Sequence, residues 1–211
     1  LLKRREYKRS IELLTRMVKE YPESSKIAEA RFAQAAAFRE LAQVAEAILI
    51  LDEVINNYPD SDLVAEAWAR KGDCHFALGS DDPKRYEEAI KCYKVAVNHV
   101  KADRDLVISS QYMIGSCLEK QGKQEEALEQ YYEHVLMFFT VGQEKGVRHT
   151  EEEKIWFIRA SVRVADMLEA RQEYRRMVKI LDRVVNSGVP GVEEFKTRAE
   201  KVRSEHWWLF Y

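Results

Sequence analysis

Apolar residues recur along the chain at the spacing of a helix face. Ile11, Leu14, Met17 and Val18 form one run, and Ile48, Leu51, Val54 and Ile55 form another. Both follow i, i+3, i+6, i+7, which places the side chains on one side of a helix. Each run stops at a Tyr-Pro step, Tyr21-Pro22-Glu23-Ser24 and Tyr58-Pro59-Asp60-Ser61. Proline ends a helix because it lacks an N–H and its ring clashes with the preceding turn. The serine that follows can cap the next helix. Ala28-Glu29-Ala30 and Ala65-Glu66-Ala67 then come at the same offset, so the two copies repeat at 37 residues.

Small residues extend the repeat. Gly72 and Gly79 are seven apart, as are Gly115 and Gly122; Ala35 and Ala42 hold these places in an earlier unit, Ala165 and Gln172 in a later one. Ala47 follows Ala42 by five and Ala127 follows Gly122 by five, while Ala89 takes that place after the insertion Ser80-Asp81-Asp82-Pro83-Lys84. Two antiparallel helices approach closely only where small side chains meet, and the second glycine lets the chain turn between them. With Ser10, Ala47, Ala89, Ala127 and Met177 as equivalent anchors, the spacings are 37, 42, 38 and 50. The residues in excess of about 34 per helix pair fall in connections: the Tyr-Pro loops, the Asp81-Asp82-Pro83 turn, the Lys101–Val107 link and the stretch Phe138–Trp156. Pro22, Pro59, Pro83 and Pro190 all lie in predicted connections.

Composition narrows the function. Lys and Arg number 34 against 36 Asp and Glu, a net charge of −2, which argues against a nucleic-acid binder that relies on a basic face and against a membrane-surface protein that is strongly basic as a whole. Only 8 glycines and 4 prolines leave little chain for the turns of a long all-β protein. No apolar stretch is long enough for a transmembrane helix. Cys74, Cys92 and Cys117 are an odd set without C-x-x-C spacing, read as buried, reduced thiols. His75, His99, His134, His149 and His206 form no metal-ligand spacing, and no nucleophile elbow, Walker loop or dinucleotide fingerprint occurs. Glu151-Glu152-Glu153 reads as a solvated helix start favoured by the macrodipole. No catalytic residue, metal or cofactor is expected.

These residues resemble the tetratricopeptide repeat family. The best unit is Ile108–Val135, with Gly115, Leu118, Gly122, Ala127, Tyr131 and Val135; next is Ala65–Val97, with Trp68, Gly72, Gly79, Ala89, Tyr93 and Ala96. In Ala28–Ile55 alanines replace the glycines, and in Ile158–Val185 Gln172 and Met177 replace the turn glycine and the small anchor. The Tyr-Pro-x-Ser connections look like the bacterial envelope subclass, which includes the outer-membrane-assembly lipoprotein and the Tol-associated coordinator protein. The resemblance implies an all-α, right-handed α-solenoid of antiparallel helix pairs over 1–211. The expected parts are a partial repeat at 1–22, repeats near 23–59, 60–101, 102–137 and 151–187, a capping helix at 191–205 and an aromatic tail at 206–211. Leu1 then falls late in the first helix of a unit, as in a fragment of a longer repeat protein. The tail His206-Trp207-Trp208-Leu209-Phe210-Tyr211 is too apolar to stay in water, and either packs on its own last repeat or docks into another molecule.

Such a solenoid has a concave face lined by the first helix of each pair. The residues expected there are Phe32 and Arg39; Asp73 and Phe76; Tyr112, Met113 and Ser116; and Arg159, Arg163 and Asp166. Aromatic anchors with both charge signs suit a peptide or helix of a protein partner; Phe32 and Phe76 could instead fill space between repeats. The Lys/Asn clamp of chaperone-binding members is missing, since its places hold Phe32/Ala36, Ala69/Asp73, Tyr112/Ser116 and Val162/Asp166. The expected function is a protein–protein interaction scaffold, with the bacterial envelope as setting and no nucleic-acid partner. The alternatives are a homo-oligomer that associates through its N-terminal face or aromatic tail, and a regulatory domain of a larger enzyme.

Overall fold

The computed structural model describes residues 2–210; Leu1 and Tyr211, the first residue of the expected partial repeat and the last of the expected tail, lie outside the described residues. Every element among the described residues is helical: α1 (Leu2–Glu20), α2 (Ile27–Glu40), α3 (Val44–Asn57), α4 (Val64–Leu78), α5 (Lys84–Asn98), α6 (Arg104–Lys120), α7 (Gln124–Tyr131), a π-helical segment Tyr132–Leu136, α8 (Met137–Glu144), α9 (Glu151–Ala170), α10 (Tyr174–Asn186), α11 (Glu193–Glu205) and a short 3-10 turn Trp207–Leu209. The chain divides into two compact units, 1–110 and 111–211, with the division inside α6.

In the N-terminal unit each helix packs on the next, from α1 to α5. The Tyr-Pro connections are built twice in the same way. Ser24 Oγ accepts from the Lys26 N–H at 3.2 Å and Ser61 Oγ from the Leu63 N–H at 3.3 Å. The serines therefore close a turn ahead of α2 and α4; neither helix has a side-chain cap at its first residue.

The turns inside the helix pairs explain the seven-residue spacing. After α2, the Ala42 N–H donates to the Arg39 carbonyl and the Gln43 N–H to the Phe38 carbonyl, both at 2.9 Å. Gly122 and Lys123 after α6, and Gln172 and Glu173 after α9, make the same pair of bonds. This helix end needs a left-handed residue at its centre: φ is 61° at Ala42, 75° at Gly122 and 59° at Gln172. Gly79 departs from the expectation, because its φ is −66° and the five-residue insertion carries the chain round by another path. It is small for a different reason, since a Cβ there would strike the Tyr86 ring.

The first small residue of each unit sets how closely the two helices cross. A Cβ on Gly72 would sit 2.7 Å from Tyr93 Cε1, and one on Gly115 2.5 Å from Tyr131 Cε1. Tyr131 follows Gly115 by 16 residues, and Tyr93 follows Gly72 by the same interval plus the insertion. At that interval Ala35 has Leu51, in the same core cluster. Ala165 has Leu181, and both are fully buried. The anchors Ala47, Ala89, Ala127 and Met177 are each 0% exposed.

The C-terminal unit corrects two expectations. The stretch from Phe138 to Trp156 is not all connection: the helix that begins at Gln124 runs through the π segment to Glu144 and α9 begins at Glu151, leaving 145–150 as the link. The π segment holds the neighbours Val135 and Leu136 both at 0% exposure, and Phe139 and Gly142 continue the buried side. Glu153 is also not solvated. It is 1% exposed, and its backbone N–H and side chain exchange bonds with Thr150 in a capping box that starts α9. His149 Nδ1 lies 2.7 Å from the Glu153 carboxylate, with its ring stacked on Phe139. Helix α11 covers α10 with Phe195, Ala199 and Val202 buried. The tail beyond it touches α10: His206 stacks on Tyr174 with centroids 3.7 Å apart, and the Leu209 carbonyl accepts from Arg175 Nε. Trp207 and Trp208 remain 60% and 57% exposed.

The three cysteines are buried and none is joined in a disulfide. Burial pushes the Cys74 and Cys92 thiols up to about 11. Burial, with Arg85 and Lys71 adding to it, holds the His75 imidazole below its ordinary range.

Three outcomes follow. Gly115→Ala should destabilise by about 1–3 kcal/mol through overpacking, and Tyr131→Leu in the same chain should recover part of that loss; chemical denaturation of the two single variants and the double variant measures the coupling. Gln172→Gly should relieve a left-handed side chain worth about 1 kcal/mol and raise the thermal midpoint by about 2–4 °C. For His75, the unfolded chain takes up a proton near pH 6.5 that the folded chain resists. Stability is therefore full above that pH and is lost as pH falls from it toward the lowered folded value. His75→Gln should flatten that part of a urea-midpoint profile.

Candidate functional site

The residues expected on one binding face fall in two groups, one in each unit. In the N-terminal unit, α2 carries Phe32 and Arg39, and α4 carries Asp73 and Phe76. Arg39 Nη1 donates to Asp73 Oδ2 at 3.2 Å, tying α2 to α4. Arg70 Nη1 donates to the same oxygen at 3.2 Å, and the Tyr93 hydroxyl donates to Asp73 Oδ1 at 2.8 Å. Asp73 is thus shared by two guanidiniums and a phenol, and Phe76 packs edge-on against Tyr86 with centroids 5.5 Å apart. Phe32 faces a cleft of about 170 Å³ between α2, α3 and α4, floored by Ala35, Ala36, Leu51 and Cys74 and rimmed by Arg39, Glu66 and Arg70. Alanine at 36 leaves that space open, enough for one medium apolar side chain.

In the C-terminal unit the face is carried by α9 and the part of α6 after the division. Arg163 binds Glu119 through both Nε, at 3.1 Å, and Nη2. The Tyr131 hydroxyl donates to Glu119 Oε2 at 2.5 Å and lies 3.0 Å from Ser116 Oγ. Burial first, and then the Glu119 carboxylate, push the Tyr131 phenol well above its ordinary value, so it stays a donor. The hydrogen bond to Glu119 likewise holds the Arg163 guanidinium above its ordinary value. Asp166 lies 2.8 Å from Arg198 of α11. Met113 is half-buried on α6.

A stack of half-exposed rings sits beside this network. Tyr112 lies 5.2 Å from Tyr131 and 5.0 Å from Trp156, tilted by about 45° to each. The Arg159 guanidinium sits 4.7 Å over the Trp156 ring. Of the expected residues, Tyr112, Arg159, Arg163 and Ser116 thus come together around two helices, and Phe32, Arg39 and Asp73 around two others. Trp156, Glu119 and Tyr131 complete the C-terminal group and lie outside the expected set. Trp156 could have been found by starting α9 at the Thr150-x-x-Glu153 capping box, which places Trp156 one turn before Arg159. Among the described residues no group of three His, Cys, Asp or Glu side chains is placed to hold a metal, and the arrangement offers surface and charge rather than a nucleophile.

The tetratricopeptide repeat family model matches two segments, 29–61 and 109–135, each spanning a helix pair and its left-handed turn. No curated protein matches the sequence significantly. Among solved structures, that of MamA is similar over 89% of this chain and 89% of its own, at 17% identity and a TM-score of 0.58. A thermophilic TPR protein of Thermus thermophilus is similar over 93% of this chain and 90% of its own, at 13% identity and a TM-score of 0.52. A Podosopora anserina chain of nearly identical TPR-like repeats is similar over 88% and 91%, at 16% identity and a TM-score of 0.56. The family resemblance is supported by these matches, and the fold is the all-α, TPR-like helix-pair architecture.

Proposed function

We propose that this chain is a scaffold for protein–protein contacts that holds a peptide or helix of its partner on the concave side of its repeats. The observation that carries this reading is the Tyr112–Trp156–Arg159 cluster. Two half-exposed rings stand side by side, with a guanidinium over the Trp156 ring, and Trp, Tyr and Arg are the residue types that dominate binding energy at interfaces. Arg163 and Glu119 set the spacing of the two helices that present them. In the N-terminal unit the cleft beside Phe32 receives one apolar side chain of a similar partner. The Tyr-Pro-x-Ser connections at 21–24 and 58–61 support a bacterial envelope assembly as the setting. The exposed Trp207 and Trp208 support a second reading, self-association through the tail, which sedimentation of the wild type and of a chain lacking 207–211 distinguishes.

Peptides selected from a displayed random library against the wild-type chain provide the probe. Tyr112→Ala and Arg159→Glu should each weaken the selected peptides by about tenfold or more, with an unchanged far-ultraviolet spectrum. Selected peptides that bind both variants with wild-type affinity would show that this face is not the binding surface.

A further inference from the structure

Helix α1 carries the largest net positive charge of the helices among the described residues. Its 19 residues carry seven Lys or Arg against three Glu, a net +4. The whole chain has net charge −2, so the residues outside α1 carry −6. The charges are also sorted around the helix. Tyr7, Ser10, Ile11, Leu14, Met17 and Val18 are half-buried on the side that packs on α2. On the far side lie Arg4, Arg5, Lys8, Arg9, Arg16 and Lys19, all exposed. At about 100° per residue they fall within an arc of roughly 140°, and they run along about 22 Å of helix. Glu12 is the one acid in the stripe, and none of the six cations takes part in an ion pair among the described residues.

We propose that this stripe is a docking surface for an anionic lipid bilayer, with α1 lying flat on the headgroups. Clusters of four to eight Lys and Arg on a helix adsorb to anionic leaflets through summed headgroup attraction. Arginine, four of the six, binds phosphate through a two-pronged donor fork. The stripe is straight and one helix wide, which matches a plane. Within its arc it holds no aromatic or aliphatic anchor of the kind that concentrates affinity at protein interfaces. The apolar side of α1 is half-buried against α2 and is not presented with the stripe, so α1 rests on the headgroups through its cations. The rest of the chain carries a net −6, so the attraction is supplied by α1. This inference does not rest on the proposed scaffold function, because it uses no residue of that binding face.

The test uses the whole chain and sedimentation with vesicles. Phosphatidylcholine vesicles holding about one-third phosphatidylglycerol should carry the chain down at about 0.1 M salt and release it at about 0.5 M, where the Debye length is much shorter. Pure phosphatidylcholine should not bind. The triple variant Arg5→Glu, Arg9→Glu, Arg16→Glu should lose at least about tenfold in apparent affinity, and Arg5→Gln, Arg9→Gln, Arg16→Gln should lose less. A control with the same change in net charge, Lys94→Glu, Lys120→Glu, Lys196→Glu, should bind as the wild type does. Absence of binding to the anionic vesicles at low salt, or equal loss in control and stripe variants, overturns the proposal. Binding of polyglutamate or duplex DNA without binding of vesicles also overturns it, and assigns the stripe to an acidic polypeptide or a nucleic acid.

Discussion

The distance between the two helices of a pair is set at a single crossing point, and much of the rest is arranged around it. Where glycine stands on the first helix, as at 72 and 115, the second helix lays a tyrosine ring flat across the gap. Where alanine stands there, at 35 and 165, the second helix supplies leucine at the same interval. Volume is exchanged across the contact, as close packing requires. The tyrosine choice has a further effect. A ring that crosses the gap carries its hydroxyl beyond the first helix, where Asp73 or Glu119 accepts it. Each of those acids also binds an arginine from the neighbouring first helix, Arg39 in one unit and Arg163 in the other. A contact within a pair is thereby joined to a contact between pairs.

This connection changes the meaning of the charged residues on the proposed binding face. Isolated, partly exposed ion pairs contribute about 0–1 kcal/mol, and Arg39 and Asp73 taken singly would be minor. Sharing one carboxylate among a phenol and two guanidiniums fixes the geometry of α2, α4 and α5 together. Asp166 is likewise engaged by Arg198 of α11. Several of the polar residues expected to meet a partner are engaged in bonds within the protein. Phe32, Tyr112 and Arg159, with Trp156 beside them, keep accessible surface for a partner.

The helix pairs were legible because their signals are local. The Tyr-Pro steps, the seven-residue spacing and the apolar runs each act within one or two turns of chain, and α2 through α7 follow from them. The turn position was legible in three pairs, at Gly122 and at Ala42 and Gln172 where glycine is replaced, but not at Gly79, where the insertion that follows takes the chain round by another path. Features that depend on tertiary contact were hidden. Continuation of the helix past Val135 requires the π segment, which is stabilised by packing that propensity does not report. Burial of Glu153 requires His149 and Thr150 to meet it, whereas three successive glutamates read alone as solvent-facing. The partnership of Tyr93 with Asp73, and of Tyr131 with Glu119, needs the helix crossing before it can be seen.

The buried thiols have a kinetic meaning. Cys74 lies on α4 and Cys92 on α5, one on each helix of the same pair. Held up to about 11, both are almost wholly neutral near pH 7, and the neutral thiol is neither nucleophile nor ready substrate for oxidants. While the packing around α4 stays closed they are chemically silent. Cys74 also packs against Ala35 and Leu51 of α2 and α3, so its release requires that side of α4 to open as well. The rate at which the two acquire a label therefore counts the openings around α4, a stopwatch already built into the chain.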